Sequence, residues 1–293
     1  MTRGGDLAVA KYHGTGNDFV MLLDLDDARP VDTALAAALC DRRFGVGGDG
    51  VIRVTRDPDG ADLFMDHRNA DGSLAEMCGN GIRCLAAFAV DRGVFSGREL
   101  AVGTRSGRKR LTLDLDGGRV RAATVAMGPP ALERKAIPMT GPASETFLGQ
   151  DLDAPDGATY RASAVSMGNP HVVLHLDGDP ATASVTTLGP ALERDPRFPE
   201  GVNVEFTTVR DGVAVTRVWE RGVGETKACG TGACAVLVAT HAAGLTPARA
   251  TVRFPGGDLV VERTDDEVYL TGPAERTFDG LVPEAWLASR GLG

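Results

Sequence analysis

Two cysteines in this sequence share one setting, in which glycines follow the thiol and an apolar run begins at once. Cys78 opens the segment Cys78-Gly79-Asn80-Gly81, and Cys229 opens Cys229-Gly230-Thr231-Gly232. The apolar runs predict two buried helices that begin at the cysteines. Because a helix N-terminus presents unpaired N–H groups and the positive end of the dipole, we expect both thiols to have lowered pKa values.

The exposed N–H groups of such a helix start also favour an anionic group such as a carboxylate. Two thiols beside a carboxylate suit inversion at the neighbouring carbon: a thiolate removes the α-proton, and a thiol donates a proton to the opposite face. No lysine lies in a setting that suggests a pyridoxal phosphate Schiff base, so we do not expect that cofactor. His171 and His175 lie in a strand-like segment without a third ligand, so we also expect no metal.

Several polar residues lie in glycine-flanked or turn positions, where they either bind a ligand or serve the turn itself. These are Asn17, Asn69, Asn169 and Asn203. Glu220-Arg221 closes a predicted strand; the Arg can bind a second carboxylate and the Glu an ammonium group, or the two form a solvated ion pair. His171 either orients the substrate or a cysteine, or packs in the core.

Composition narrows the class of protein. The chain has 293 residues and a net charge of −9, which argues against general binding to nucleic acid or anionic membranes. No apolar run approaches the roughly 18 residues that span a bilayer, and residues 1–6 lack the apolar core of a signal peptide. Five cysteines are too few for a disulfide scaffold, and Cys40, Cys84 and Cys234 are predicted to be buried. We expect a cytoplasmic protein.

A weak internal repeat predicts the fold. The two cysteines lie 229 − 78 = 151 positions apart, and Asn17 and Asn169 lie 169 − 17 = 152 apart. The pattern predicts an α+β fold of two pseudo-symmetric domains, each a curled, mostly antiparallel sheet around one central helix. Gly128-Pro129-Pro130 marks the boundary between residues 1–128 and 129–276. We also expect a helix from the cap Asp32 to about Arg43, and a loop-rich region over residues 188–198.

Six motifs resemble the diaminopimelate epimerase family in order and spacing, over nearly the whole chain. They are Gly14-Thr15-Gly16-Asn17-Asp18-Phe19, Arg68-Asn69-Ala70-Asp71-Gly72-Ser73, Met77-Cys78-Gly79-Asn80-Gly81, Gly168-Asn169-Pro170-His171, Gly201-Val202-Asn203 and Glu220-Arg221-Gly222 with Ala228-Cys229-Gly230-Thr231-Gly232. The resemblance implies a cofactor-independent, two-base interconversion of LL- and meso-diaminopimelate by Cys78 and Cys229, on the route to lysine and peptidoglycan. It also implies a homodimer and a final strand near 277–281 that returns to the first half, leaving residues 282–293 as a tail.

Carried over by position, the resemblance implies roles for ten further residues. The backbone of Gly79, Asn80, Gly230 and Thr231 would bind the α-carboxylate, and the rest of the substrate would contact Asn17, Asn69, Asn169, Asn203, Glu220 and Arg221. Many family members have Gln where this chain has Gly50. A related racemase of histidine or proline type remains an alternative, although proline racemases resemble a Cys-Gly-His pattern where this chain has Asn80. A thiol redox protein is the alternative from another class.

Overall fold

The computed structural model describes residues 5–292 and divides into two compact units. One unit runs to Val125 and includes the chain from Pro273 onward; the other is Ala126–Gly272. We propose that these units are the two domains. No helix in the part of the chain described is long and apolar enough to cross a membrane.

The elements follow one another along the chain as strands, with few helices between them. Up to the end of the first unit they are β1 (Leu7–Gly14), β2 (Asn17–Leu23), α1 (Thr33–Cys40), β3 (Gly50–Thr55), β4 (Leu63–Asn69), α2 (Gly79–Asp91), β5 (Glu99–Gly103), β6 (Lys109–Asp116) and β7 (Arg119–Gly128). The second unit contains β8 (Gln150–Asp153), β9 (Thr159–Ser166), β10 (Pro170–His175), α3 (Val185–Glu193), β11 (Asn203–Arg210), β12 (Val213–Glu220), β13 (Gly224–Thr226), α4 (Gly230–Ala242), β14 (Arg249–Phe254), β15 (Gly257–Arg263) and β16 (Val268–Gly272). The chain then returns to the first unit as β17 (Glu275–Val282) and α5 (Glu284–Ala288).

The two units repeat one strand order. In the first, the strands pair as β17-β1-β2-β3-β4-β5-β6-β7, with β2–β3 and β4–β5 parallel and the other neighbours antiparallel. In the second, they pair as β8-β9-β10-β11-β12-β14-β15-β16, with parallel pairs at the corresponding positions, β10–β11 and β12–β14. This agreement confirms the predicted pair of pseudo-symmetric, mostly antiparallel α+β domains.

Each sheet surrounds one buried helix. In α2, every residue from Gly79 to Ala89 is buried, and the helix contacts β1, β2, β3 and β17. In α4, residues from Gly232 to Thr240 are buried, and strands β9 to β12 and β14 to β16 surround the helix. A helix with almost no polar face must be enclosed, which explains why the sheet curls around it.

The structure corrects the prediction in one place, adds a helix to the tail and shortens one predicted helix. Residues 188–198 are not all loop, because α3 extends to Glu193 and buries Val185, Leu188 and Leu192 despite Pro190 in its interior. The tail after Val282 forms α5, whose Leu287 is buried in the core of the first unit. Asp32 caps α1 as predicted, accepting a hydrogen bond from the Leu35 N–H at 2.7 Å, but α1 ends at Cys40.

Candidate active site

The two cysteines occupy the same position at the start of their helices. Cys78 is the N-cap of α2, with φ −135° and ψ 121°, and Cys229 is the N-cap of α4, with φ −126° and ψ 123°. Each sulfur accepts a hydrogen bond at 3.4 Å from the N–H three residues on, that of Gly81 or Gly232. The sulfur thus replaces the usual capping oxygen, beside the N–H groups of the first turn.

Amide side chains surround the sulfur of Cys78. The Asn17 Oδ1 atom lies 3.6 Å from the Cys78 Sγ atom and accepts a hydrogen bond from the Asn80 Nδ2 atom at 3.2 Å. Both amides are fixed from behind: the buried Arg83 donates to the Asn80 Oδ1 atom at 3.0 Å, and the Asn17 Nδ2 atom donates to Asp49 at 2.7 Å. Asn17 therefore presents its oxygen, an acceptor for the thiol proton, to Cys78.

Asp49 belongs to a charged cluster behind Asn17. Arg42 donates to the carboxylates of both Asp49 and Asp18, at 2.7 and 2.6 Å, and the Lys11 Nζ atom lies 2.6 Å from Asp18. Burial alone would raise the pKa of Asp18, but the hydrogen bonds from Arg42 and Lys11 hold that pKa well below its usual range. Asp18 is thus ionised, and the hydrogen bonds of the cluster fix the start of β2, where Asn17 lies.

Gly50 has no room for a side chain. A Cβ atom there would lie 2.6 Å from the carbonyl oxygen of Arg68 and 2.8 Å from the Nε2 atom of His67. His67 is buried, and burial, followed by the charge of Arg105, lowers its pKa to about 4. A side chain at position 50 would therefore clash with the neutral His67 imidazole and with the Arg68 carbonyl oxygen.

Burial and two carboxylates set the pKa of Cys229. Burial raises the pKa of Cys229 well above its usual value; Glu220 and Glu205 add to this, and hydrogen bonds from Thr231 and Gly232 oppose it. The expected lowering of this pKa is therefore wrong, because burial and two carboxylates outweigh the helix N-terminus. Burial also raises the pKa of Glu220, against hydrogen bonds from Thr226 and Cys229.

A hydrogen-bonded chain connects a buried pair to the same sulfur. Glu205 and His171 are fully buried, with 2.6 Å between the Glu205 Oε1 and His171 Nδ1 atoms. The His171 Nε2 atom lies 3.0 Å from the Asn169 Oδ1 atom, and the Asn169 Nδ2 atom lies 3.4 Å from the Thr231 Oγ1 atom. Thr231 reaches the Cys229 sulfur at 3.4 Å.

Three other predicted residues lie at strand ends and contact backbone or neighbouring turns. Asn69 is exposed at the end of β4, where it donates to the Ser73 hydroxyl. Asn203 is buried, donates to the Pro170 carbonyl at 2.8 Å and accepts from the Arg221 N–H at 2.9 Å. The exposed Arg221 side chain donates to the Glu200 carbonyl at 2.8 Å. Asn203 and Arg221 are thus neighbours, whereas Asn69 belongs to a separate turn.

The remaining cysteines are structural. Cys40, Cys84 and Cys234 are buried, as predicted. Burial raises the pKa of Cys40 and of Cys84 to about 12 in each case, so neither thiol ionises near neutral pH.

Sequence reasoning missed Asp49 and Glu205. Glu205 carried one signal, a charged residue within the apolar strand segment Val202–Phe206, because a charge in a buried strand needs a partner. Asp49 had no such signal, since an Asp between glycines usually indicates only a turn.

Comparison with known proteins assigns the family. The family model described as Diaminopimelate epimerase matches residues 9–133 and 163–277. A diaminopimelate epimerase of Moorella thermoacetica is 46% identical over 277 residues, covering 93% of this chain and 98% of the relative. One from Desulforudis audaxviator is 48% identical over 274 residues, covering 92% and 97%.

Solved structures of lower identity share the fold. A probable proline racemase from Agrobacterium radiobacter K84 superposes with a TM-score of 0.68 at 18% identity, covering 94% of this chain and 93% of that one. A phenazine biosynthesis protein of the PhzF family from Bacillus anthracis gives a TM-score of 0.69 at 14% identity, covering 95% and 99%. With matched motifs, strand order and relatives along almost its whole length, the chain belongs to the diaminopimelate epimerase family of isomerases.

Proposed function

We propose that this protein interconverts LL-2,6-diaminopimelate and meso-2,6-diaminopimelate without a cofactor, in the synthesis of lysine and peptidoglycan precursors. The observation that carries the proposal is the matched pair of cysteine N-caps, in a chain that is similar to named epimerases over more than nine-tenths of its length. Each cysteine begins a buried helix, and each lies beside the N–H groups that a substrate carboxylate needs.

In the proposed mechanism, the backbone N–H groups of Gly79, Asn80, Gly230 and Thr231 bind the α-carboxylate. They also stabilise the negative charge that develops when the α-proton leaves. One of the two cysteines, as thiolate, removes the proton from the α-carbon, and the other, as thiol, donates a proton to the opposite face. The two cysteines exchange roles in the reverse direction.

We assign the resting thiol to Cys229. Its raised pKa, caused by burial and by Glu220 and Glu205, favours the protonated sulfur. The Cys78 sulfur instead faces the Asn17 amide oxygen and the Gly81 N–H. In this assignment Cys78 is the base on the epimer that the resting enzyme binds first, after losing the thiol proton that faces the Asn17 oxygen.

The rest of the substrate is assigned to the side chains that the family resemblance implies. Asn17, Asn69, Asn169, Asn203, Glu220 and Arg221 are the proposed contacts to the second amino-acid head. The Arg221 guanidinium group suits the carboxylate of that second head, and the Glu220 side chain suits its ammonium group.

Incubation with LL-diaminopimelate in D₂O tests the proposed reaction. We expect meso product that carries one deuterium at the inverted α-carbon, because the proton donor exchanges with solvent. Parallel incubations with L-histidine and L-proline test the alternative racemases. A folded, fully reduced protein that incorporates no deuterium into diaminopimelate would contradict the proposal.

We further propose that the protein is a cytoplasmic homodimer. Support comes from the family resemblance and from exposed apolar side chains on the first unit, Phe278 and Leu281 on β17 and Leu23 on β2. A second copy would cover them. Light scattering after size exclusion should give twice the chain mass, and Phe278→Lys should reduce it; a monomeric wild type would contradict this assignment.

A further inference from the structure

A buried acid–base pair lies against the first turn of α4. Glu205 on β11 and His171 on the neighbouring strand β10 have no exposed side-chain surface, and their nearest polar atoms are 2.6 Å apart. A Cβ atom on Gly232 would lie 2.8 Å from the Glu205 Oε1 atom. The second glycine after Cys229 therefore lets this carboxylate approach the helix start.

The first unit has apolar residues at the equivalent positions. Asn17 corresponds to Asn169, so Phe19 corresponds to His171. Phe19 pairs with Gly50 as His171 pairs with Asn203, which makes Ile52 the equivalent of Glu205. As expected, a Cβ atom on Gly81 would meet the Ile52 Cδ1 atom, also at 2.8 Å.

The equivalent positions of the first unit show that the fold does not require a buried acid–base pair. Phe19 and Ile52 are almost fully buried, so the fold accepts an apolar pair at these positions. A buried ion pair is often no more stable than a well-packed apolar pair of similar volume. Stability of the fold therefore does not explain the carboxylate at position 205. The chain of hydrogen bonds from Glu205 to Cys229 indicates a functional role for it instead.

The direction of the hydrogen bonds in that chain defines the proton positions. The Asn169 oxygen faces the His171 Nε2 atom and its nitrogen faces Thr231, so Nε2 must donate. The His171 Nδ1 atom lies 2.6 Å from the Glu205 Oε1 atom and donates to it when Glu205 is a carboxylate. Thr231 accepts from Asn169, which leaves its own hydroxyl proton for the Cys229 sulfur.

We propose that Glu205 is a positioning residue, which keeps His171 protonated on both ring nitrogens and thereby directs the Thr231 hydroxyl at Cys229. Other groups around the sulfur do not orient that hydroxyl, because Glu220 accepts hydrogen bonds from Thr226 and Cys229, and the Gly232 N–H donates to the sulfur independently. The Thr231 hydroxyl supplies a second donor. It stabilises the thiolate that forms when Cys229 releases its proton beside two carboxylates.

The inference rests on the proposed function only in assigning Cys229 a proton-transfer role. With Gln at position 205, the side chain is neutral and the ring keeps one proton, on Nδ1. The Nε2 atom then accepts from Asn169, whose amide must turn over. The Asn169 oxygen then takes the Thr231 proton, and Cys229 loses that donor.

The test compares Glu205→Gln with the double variant His171→Phe/Glu205→Ile, which copies the apolar pair of the first unit. Glu262→Gln is the control, a Glu on β15 of the same unit in a half-exposed pair with Arg249. Nitrogen-15 NMR of the histidine rings at pH 7 reports whether both nitrogens carry protons, without any substrate. The chain has five histidines, and the double variant identifies the His171 signal by its loss.

We expect a doubly protonated His171 in the wild type and a singly protonated ring in Glu205→Gln. Epimerisation should fall about 10- to 100-fold in that variant and in the double variant, as for other displaced catalytic groups. The control should stay within about twofold, a surface pair being worth little. The double variant should also remain folded, which preserves the test if Glu205→Gln does not fold.

Three results would overturn the inference. They are a singly protonated His171 ring in the wild type, a ring signal that Glu205→Gln leaves unchanged, and wild-type turnover in a folded variant whose ring signal has changed. Because the NMR measurement needs no substrate, a failure of the epimerase assignment would leave the protonation result readable.

Discussion

Cys78 and Cys229 begin their helices with nearly equal backbone angles and equal sulfur-to-N–H distances, yet the side chains around the two sulfurs differ in charge. Amides face Cys78, and the Asp49 carboxylate accepts a hydrogen bond from the far end of the Asn17 amide. Burial, followed by the charges of Glu220 and Glu205, raises the pKa of Cys229. The N-cap geometry of the duplicated domain is common to both halves, whereas the strands that face the sulfurs have diverged.

This difference fits a reaction in which one sulfur takes a proton and the other gives one. Two thiols of equal pKa would share their protonation states at random, and only part of the protein would hold one thiolate and one thiol. Burial and the charges of two carboxylates raise the pKa of Cys229 and favour a proton on that sulfur. The asymmetry therefore supports the resting state that we propose.

Replacing the cysteines one at a time tests this comparison with the largest expected effect. Cys78→Ser and Cys229→Ser should each lower epimerisation about 10³-fold or more, because a hydroxyl is a much weaker base and acid than a thiol. Each variant should still exchange the α-proton of the one epimer that faces its remaining cysteine. Proton NMR in D₂O measures both rates.

A buried cysteine outside the site provides the control for this experiment. Cys40→Ala should retain turnover, since the pKa of Cys40, about 12, keeps that thiol protonated. If Cys78→Ser and Cys229→Ser exchange the same epimer, the two sulfurs do not act on opposite faces.

His67 tests the first unit through the pH dependence of the free energy of unfolding. His67 on β4 of the first unit has a pKa of about 4 in the fold, against an ordinary value of 6.5. The unfolded chain therefore binds this proton below pH 6.5 and the folded chain does not until about pH 4. The stability that depends on neutral His67 is present above pH 6.5 and is lost as the pH falls.

We expect the free energy of unfolding to fall by about 2 kcal/mol more in the wild type than in His67→Gln between pH 7 and pH 5. Urea unfolding of both proteins at the two pH values measures the difference, in which shared groups such as His175 cancel. Equal pH dependence in the two proteins would show that His67 is not held neutral by burial.

Residues with local signals were predictable from sequence, and residues that depend on strand pairing were not. Cys78 and Cys229 stand beside glycines and apolar runs, so their helices could be placed almost to the residue. Glu205 approaches His171 because β10 and β11 pair in parallel across α3, and α3 was predicted as part of a loop. The raised pKa of Cys229 follows from the same long-range contacts, which is why the local helix-dipole argument failed there.

Replacing Asp49 has the smallest expected effect, and it tests the amide side chains that face Cys78. It accepts hydrogen bonds from the Asn17 amide nitrogen at 2.7 Å and from the Asp18 N–H at 3.1 Å. Asp49→Asn can present its own amide nitrogen instead, which permits Asn17 to turn over and offer a donor to Cys78. One hydrogen bond is worth about 1 kcal/mol, so turnover should fall about fivefold.

The kinetic parameters of Asp49→Asn distinguish this effect from damage to the fold. Asp114→Asn is the control, since its carboxylate pairs with Arg121 on the exposed face of β6 and should leave turnover unchanged. A loss confined to KM would indicate that Asn17 serves substrate binding alone, whereas a lower kcat places its oxygen in the proton transfer at Cys78. A drop in turnover much larger than the one from Glu205→Gln would contradict the comparison. The surroundings of Cys78 would then depend on a carboxylate more strongly than the surroundings of Cys229 do.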